Sequence, residues 1–301
     1  MIISALSILL ATASVAKSVS AVAAKPPAEC NGSKDHSPCP AATPGPESVT
    51  LIDGQPAPPP SAPFAAGETL TYEVEWMGID VGSATSIVET GSTFDGKPAI
   101  HLKASASSGR AFSFVKNAHG ASESWIDPDG LFSLGFVTDE HDGSTVDTQT
   151  FGLDYTRALA HRNRVVTQKD GSLKTYDLDI PITRSRVQDA YSMTYLYRAF
   201  PLKVGQRLES DVFVDKKMWK LTVEVIGKET LKTAAGTFDC LKVRPSVSVD
   251  GVPDKKGEMT VWISDDARRI PVKTQASLPF GKVNVVLTKF TQGGATAAKA
   301  E

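Results

Sequence analysis

Asp-Gly pairs recur along this chain, among them those at positions 95–96, 129–130, 142–143, 170–171 and 250–251. Each pair supplies residues that tolerate positive φ, and each lies between apolar runs, which is the pattern of a tight β-hairpin. The runs themselves alternate. Leu70, Tyr72, Val74 and Trp76 interleave with Thr71, Glu73 and Glu75, the period-2 signature of a strand with one buried face. Short turns join antiparallel neighbours, whereas parallel strands need long crossovers. The sequence therefore predicts an all-β body built from successive antiparallel hairpins.

Strands are predicted over Thr69–Met77, Gly82–Thr90, Ala99–Ala106, Ala121–Ile126, Leu131–Thr138, Thr145–Asp154, Arg164–Gln168 and Lys174–Ile180. The series continues with Arg207–Val214, Lys217–Thr230, Phe238–Val249, Glu258–Ile263, Pro271–Ser277 and Gly281–Thr291. One or two short helices complete the prediction. Ser185-Arg186-Val187-Gln188 fits a capping box, in which the serine hydroxyl accepts an orphan amide and the glutamine bonds back. Val187, Ala190, Tyr191 and Thr194 follow at helical spacing, and Pro201 ends the segment.

The ends read differently. Ile2 to Ala16 is apolar and rich in small residues, Lys17 ends the run, and Ala21-Val22-Ala23 offers a cleavage site. The run is shorter than the roughly 18 residues that span a bilayer. Residues 1–23 are therefore expected to be a secretory signal, leaving no transmembrane span once removed, although the leading residues carry no Lys or Arg. Residues 24–63 are Pro-rich and expected to be a disordered spacer, because such a segment buries too little apolar surface to offset chain entropy. The folded body is placed at 64–291 and a small-residue tail at 292–301. Export permits disulfides; Cys30 and Cys39 flank a short polar loop and are positioned to close a ring, while Cys240 reads as a small buried hydrophobe.

Charge and motif content exclude several functions. With 32 Lys and Arg against 34 Asp and Glu, the net charge is −2, so no basic excess exists to displace counterions from nucleic acid. The chain carries no G-x-G-x-x-G, no P-loop and no G-x-S-x-G elbow. No cofactor or metal is expected. Asp139-Glu140-His141-Asp142 carries ligand-type side chains, but successive residues of an extended segment point to opposite sides, and the cluster is read as a solvated hairpin tip.

Several pieces resemble a known family. They are AGETLTYEVEWMGIDVGSA at 66–84, VQDAYSMTYLYR at 187–198, PLKVGQ at 201–206, TAAGTFDCLKV at 233–243 and KGEMTVWISDDARRIPVK at 256–273. In order and spacing they resemble the domain of unknown function 3108 family, exported envelope proteins of Gram-negative bacteria. The resemblance implies a single antiparallel, strongly curved sheet or half-open barrel, similar to lipoprotein-carrier-like folds, with a helix near its concave side. It also implies the periplasm, and it carries no catalytic residues.

Function is then expected on the inner face of the sheet, as a non-catalytic binding or carrier module for an apolar or amphipathic envelope molecule. Tyr72, Trp76, Trp125 and Trp262 are the candidate lining residues, although aromatic strand residues also pack as plain core. Arg268 and Arg269 are candidates for holding an anionic group. Alongside Asp265 and Asp266 they also fit a turn with local charge pairing. The alternatives are an envelope scaffold acting on a protein partner, and a hydrolase of glycan or lipid built from scattered residues.

Overall fold

A computed structural model describes residues 49–51, 61–89, 91–109, 118–142, 144–214, 216–249, 252–253, 258–278 and 281–294. The described part is all-β with one short helix. In chain order the strands are β1 Val49–Leu51, β2 Thr69–Trp76, β3 Ile79–Val88, β4 Ser92–Phe94, β5 Lys97–Ser108 and β6 Ala118–Ile126. Next come β7 Ser133–Asp142, β8 Thr145–Asp154, β9 Leu159–Thr167 and β10 Leu173–Pro181. Helix α1, Ser192–Leu196, follows and continues as a 3-10 turn over Tyr197–Ala199. The last strands are β11 Arg207–Val214, β12 Lys217–Thr233, β13 Gly236–Val249, β14 Val252–Pro253, β15 Glu258–Ser264, β16 Pro271–Leu278 and β17 Gly281–Thr291.

All fourteen predicted strands are present, and Thr145–Asp154, Arg207–Val214 and Gly281–Thr291 keep their predicted bounds. The additional strands β1, β4 and β14 have three, three and two residues, too short to show a period. One of them, β1, falls within the segment expected as a spacer and pairs with Leu208–Ser210 of β11. The signal segment, Cys30 and Cys39 lie outside the described residues. Gly294 N donates to Ala66 O, which lays the start of the C-terminal segment beside the entrance to β2.

The sheet is single and antiparallel. In-register pairing runs from β11 through β12, β13, β15, β16, β17, β2, β3, β5, β6, β7, β8 and β9 to β10. The sheet is open where β10 approaches β11. There the only bridge outside named strands joins Gln188 to Val212, among the described residues. Curvature comes from register breaks. Five pairings carry one, at Val74/Glu75, Trp125/Ile126, Val225/Gly227, Trp262/Ile263 and Leu287/Lys289. An extra residue on one strand bends it and raises its twist, so five of them roll the sheet towards a half-barrel.

The Asp-Gly signal is explicit at Asp95 and Gly96, whose φ values of 49° and 74° suit a two-residue hairpin. At Gly135 the demand is space: a Cβ there would lie 2.2 Å from the Phe94 ring.

The helix corrects the sequence reading. It starts at Ser192, and Ser185 does not cap it. Asp189 takes that part, with Oδ1 accepting from the amides of Tyr191 and Ser192, both at 2.8 Å. Ser192 Oγ bonds back to the Asp189 amide at 2.9 Å. This is the same reciprocal logic as a capping box, four residues later. Gln188 is drawn instead to the strand edge: its amide donates to Asp211 O and its carbonyl accepts from Phe213 N. The edge of β11 has unfilled backbone groups, and filling them outweighs extending a helix by one turn.

The main core lies between the concave face and α1. Val74, Ala84, Leu102, Ala104, Leu221, Val223 and Val243 pack against Tyr191, Met193, Tyr195 and Leu196. A second cluster of Phe136, Phe151, Val187 and Phe213 closes the seam beside β10 and β11. A third gathers Phe238, Cys240, Trp262, Ile270 and Val272. No helix among the described residues is long and apolar enough to cross a membrane.

Candidate functional site

Between the concave face and α1 lies a partly open cavity of about 170 Å³. Its strand side is mostly apolar, with Ala84, Ala104, Leu221, Val223, Val243, Val261, Ile263 and Val285, and also bears Ser86 and Thr274. Its helix side carries Ala190, Tyr191, Met193, Thr194 and Tyr195. Short residues on β3 and β5 leave room, and the short helix brings two phenols into it four residues apart, where side chains share a face.

Three hydroxyls meet inside. Ser86 Oγ lies 2.7 Å from Tyr191 Oη and 2.6 Å from Tyr195 Oη. Tyr191 Oη donates to the carbonyl of Lys103 at 3.0 Å. Burial pushes the Tyr191 phenol well above the ordinary tyrosine value. The same cause raises Tyr195 and outweighs the opposing charge of Arg198. Both stay neutral, because an unsolvated phenolate has nothing to replace its water.

At one end stands Arg198, whose guanidinium bonds Glu68 through Nη1 at 2.7 Å and Nη2 at 2.8 Å. Its Nε also donates to Arg269 O at 3.0 Å and its Nη2 to Arg268 O at 3.2 Å. The rings of Phe64 and Tyr195 each lie 5.2 Å from its Cζ. Burial opposes the charge, but the hydrogen bonds and charge of Glu68 outweigh it and keep the guanidinium protonated. The cavity therefore meets a compensated pair and no free ion.

The structure scatters the residues singled out from sequence. Tyr72 borders the cavity, and its hydroxyl donates to Pro271 O at 3.0 Å. Trp76 shares the face of Tyr72 and packs against the main core without bordering the cavity. Trp125 stacks on His101 at 4.3 Å and faces Phe94 at 5.6 Å. The neighbours of Trp125 along the strand, Ser124 and Ile126, are buried inward, so it lies on the outer side. Trp262 likewise points away from Val261 and Ile263, and its Nε1 donates to Glu229 Oε2 at 2.9 Å. Arg268 bonds Asp266 through Nε and Nη2 at 3.1 and 2.5 Å. Arg269 Nη1 donates to Arg198 O at 2.9 Å. Both arginines belong to the β15–β16 turn.

Most polar residues that border the cavity, among them Ser86, Tyr191, Tyr195, Arg198 and Thr274, escape the sequence reading. Three tyrosines and an arginine fall within Tyr191–Arg198, and this density was the available signal. The acidic cluster is a strand end: His141 Nε2 lies 2.8 Å from Asp139 Oδ2, and its ring stacks on His119 at 3.8 Å. No group of three or more metal-ligating side chains converges among the described residues.

A family model described as a protein of unknown function, DUF3108, matches residues 71–288. No curated protein matches the chain in sequence. Among solved structures, a β-barrel-like protein of the domain of unknown function DUF1849 from Brucella abortus is 11% identical. It aligns over 78% of this chain and 100% of its own, at a TM-score of 0.49. A hypothetical protein from Chlamydia trachomatis is 9% identical, covering 81% of this chain and 98% of its own, with a TM-score of 0.32. A Bacteroides fragilis protein described as a candidate exported protein with a YmcC-like fold is 15% identical. It covers 78% of this chain and 100% of its own, with a TM-score of 0.30.

Proposed function

We propose that this chain, which belongs to the DUF3108 family, is a non-catalytic binding module of the cell envelope that takes one uncharged, largely hydrocarbon end of an amphipathic molecule beneath α1. The observation that carries this reading is the cavity of about 170 Å³, walled by aliphatic strand residues and free of uncompensated charge. A cavity of roughly 150 Å³ is large enough to admit benzene. This space therefore takes a chain end or ring, with the rest of the molecule left outside. Burial is worth about 0.8 kcal/mol per methylene, so affinity follows from how much chain the cavity accepts.

The hydroxyl cluster supports a non-catalytic role. Ser86 is bonded to two phenols whose protons burial retains, and a serine nucleophile needs a base beside it. Export to the periplasm rests on the apolar segment Ile2 to Ala16 and its Ala21-Val22-Ala23 cleavage site. Mass spectrometry of the protein gently extracted from its native envelope tests the binding reading. A co-purifying amphipathic molecule, lost when the cavity is filled by mutation, is the expected result. Recovery of ligand-free protein that also ignores added amphiphiles rejects it.

A second reading, an assembly factor engaged through the sheet edge, has one observation in its favour. Beside the open seam, β10 exposes Leu173 and Tyr176, at 66% and 47%, and such an edge is where a partner strand adds. Cross-linking from position 176 to a stoichiometric envelope protein would favour it.

A further inference from the structure

The three hydroxyls in the cavity share three protons, and their directions are fixed by one bond. A carbonyl only accepts, so the single proton of Tyr191 goes to Lys103 O. In its 2.7 Å contact with Ser86, Tyr191 must then accept, and the serine proton is used there. In the 2.6 Å contact with Tyr195, Ser86 in turn must accept, which uses the Tyr195 proton. The relay runs from Tyr195 to Ser86 to Tyr191 to the backbone of Lys103. None of these three protons remains for a ligand. What remains on them is acceptor capacity, above all on Tyr195 Oη, whose contact with Tyr191 Oη is long at 3.5 Å once the Tyr191 proton is given to Lys103 O, while Tyr195 is 3% exposed. Nearby, Arg198 is held by Glu68 and two carbonyls, and the hydroxyl of Thr274 stands on the strand wall beside Val261 and Val285.

We infer that the hydroxyl relay beneath α1 selects an uncharged ligand end carrying a hydrogen-bond donor, of alcohol or amide type, on a hydrocarbon body of roughly six to eight carbons, the scale of a benzene-sized cavity. This rests on the binding reading above and adds its chemistry. A carboxylate or phosphate end at the relay would bring charge and acceptors to three hydroxyls whose protons are already committed, beside an Arg198 already held by Glu68. An ether or ester oxygen placed at Tyr195 Oη would meet only lone pairs. An alcohol closes the relay by donating to Tyr195.

The test uses the full chain labelled at its methionine methyls. Met193 and Met259 line the cavity, and Met77, which is 67% exposed, serves as a reference. The protein is titrated with 1-hexanol and, separately, with its isomer methyl pentyl ether. The alcohol is expected to bind about fivefold more tightly, the worth of one net hydrogen bond near 1 kcal/mol. Among primary alcohols, affinity is expected to rise about fourfold per methylene and level off near eight carbons. Ser86→Ala frees the Tyr195 proton to donate, so the ether is expected to gain and the ratio to fall towards one.

An ether that matches the alcohol on the unaltered protein overturns the donor inference and leaves the binding reading standing. An unbroken rise to dodecanol overturns the size limit alone. A ratio unmoved by Ser86→Ala overturns the relay direction. If neither compound shifts the Met193 or Met259 methyls, the binding reading itself fails. The comparison on the unaltered protein needs no variant, so it stands even if Ser86→Ala does not fold.

Discussion

Glu68 and Arg198 form a two-pronged ion pair at 2.7 and 2.8 Å, with side chains only 3% and 1% exposed. Glu68 stands at the entrance to β2, Arg198 at the end of the helical segment, and the carbonyls of Arg268 and Arg269 complete its partners. Three of the sequence pieces that marked the family thus converge on one buried guanidinium. That contact ties the helical segment across the sheet, and so fixes the roof of the cavity.

Removing one partner of this pair strands the other charge away from water, which costs about 3–5 kcal/mol. Arg198→Met and Glu68→Ala are each expected to lose that much in urea denaturation. The double variant is expected to recover a large part of it, because no lone charge remains. Arg198→Lys is expected to rescue little, since an ammonium cannot reproduce the planar fork or its position between Phe64 and Tyr195. Additive losses in the double variant would show that the pair is not coupled.

Tyrosine burial sets the alkaline limit. Desolvation raises the phenols of Tyr72, Tyr155, Tyr191, Tyr195 and Tyr197 in the folded chain. Above the ordinary value of about 10, the unfolded chain sheds protons that the folded chain retains. Stability therefore falls as pH rises through 10, by up to about 1.4 kcal/mol per pH unit for each such phenol. Absorbance at 295 nm should rise for these five together with the loss of far-ultraviolet β signal. Ionisation of several phenols while the sheet is intact would contradict the assignment.

Much of this fold was readable because its signals are local. Alternation along Leu70–Trp76 and the turn at Asp95-Gly96 each need only a few neighbouring residues, and all the long strands follow from such patterns. The helix start failed because two segments compete for one set of backbone groups. Gln188 was read within Ser185–Gln188, yet the strand edge at Asp211 and Phe213, more than twenty residues on, claims its backbone. The site failed for a related reason. Whether Trp262 or Val261 faces the cavity depends on which side of the sheet curves inward, and that is set by the bulges and by α1, distant in sequence. Arg198 and Glu68, 130 residues apart, show no sign of each other along the chain.

The β2–β3 hairpin breaks a local rule. Met77 and Gly78 have φ values of 53° and 83°, the geometry of a turn that favours Asn-Gly. A methionine there carries the cost of a left-handed backbone, and its side chain is 67% exposed. Met77→Asn is expected to stabilise the protein by about 0.5–1 kcal/mol, close to what relief of such strain yields. Thermal denaturation decides it; a variant less stable than the parent would mean that the Met77 side chain makes contacts that outweigh the strain.

Cys240 reports on whether the third core cluster opens. Its side chain is buried, and burial, helped by nearby Asp239, Asp266 and Glu229, pushes the thiol up to about 11. At pH 8 only about one thiol in a thousand is then ionised even where a reagent reaches it. With Cys30→Ser and Cys39→Ser in place, Ellman's reagent is expected to label Cys240 at the rate of unfolding and to accelerate with urea.

The cavity itself can be closed without touching its hydroxyls. Ala104 lies on β5, faces inward and borders the space beneath α1. Ala104→Leu adds three carbons to a cavity of about 170 Å³, where empty volume rather than neighbouring atoms receives them. Overpacking a filled core costs about 1–3 kcal/mol, but filling a void returns dispersion contacts that its walls lack. The variant is therefore expected to stay within about 1 kcal/mol of the parent in urea while losing at least tenfold in affinity for 1-hexanol. A loss of binding that merely tracked a loss of stability would point to general loosening. Unchanged binding in a stable variant would place the ligand elsewhere on the sheet, and the cavity would then be no more than a packing defect.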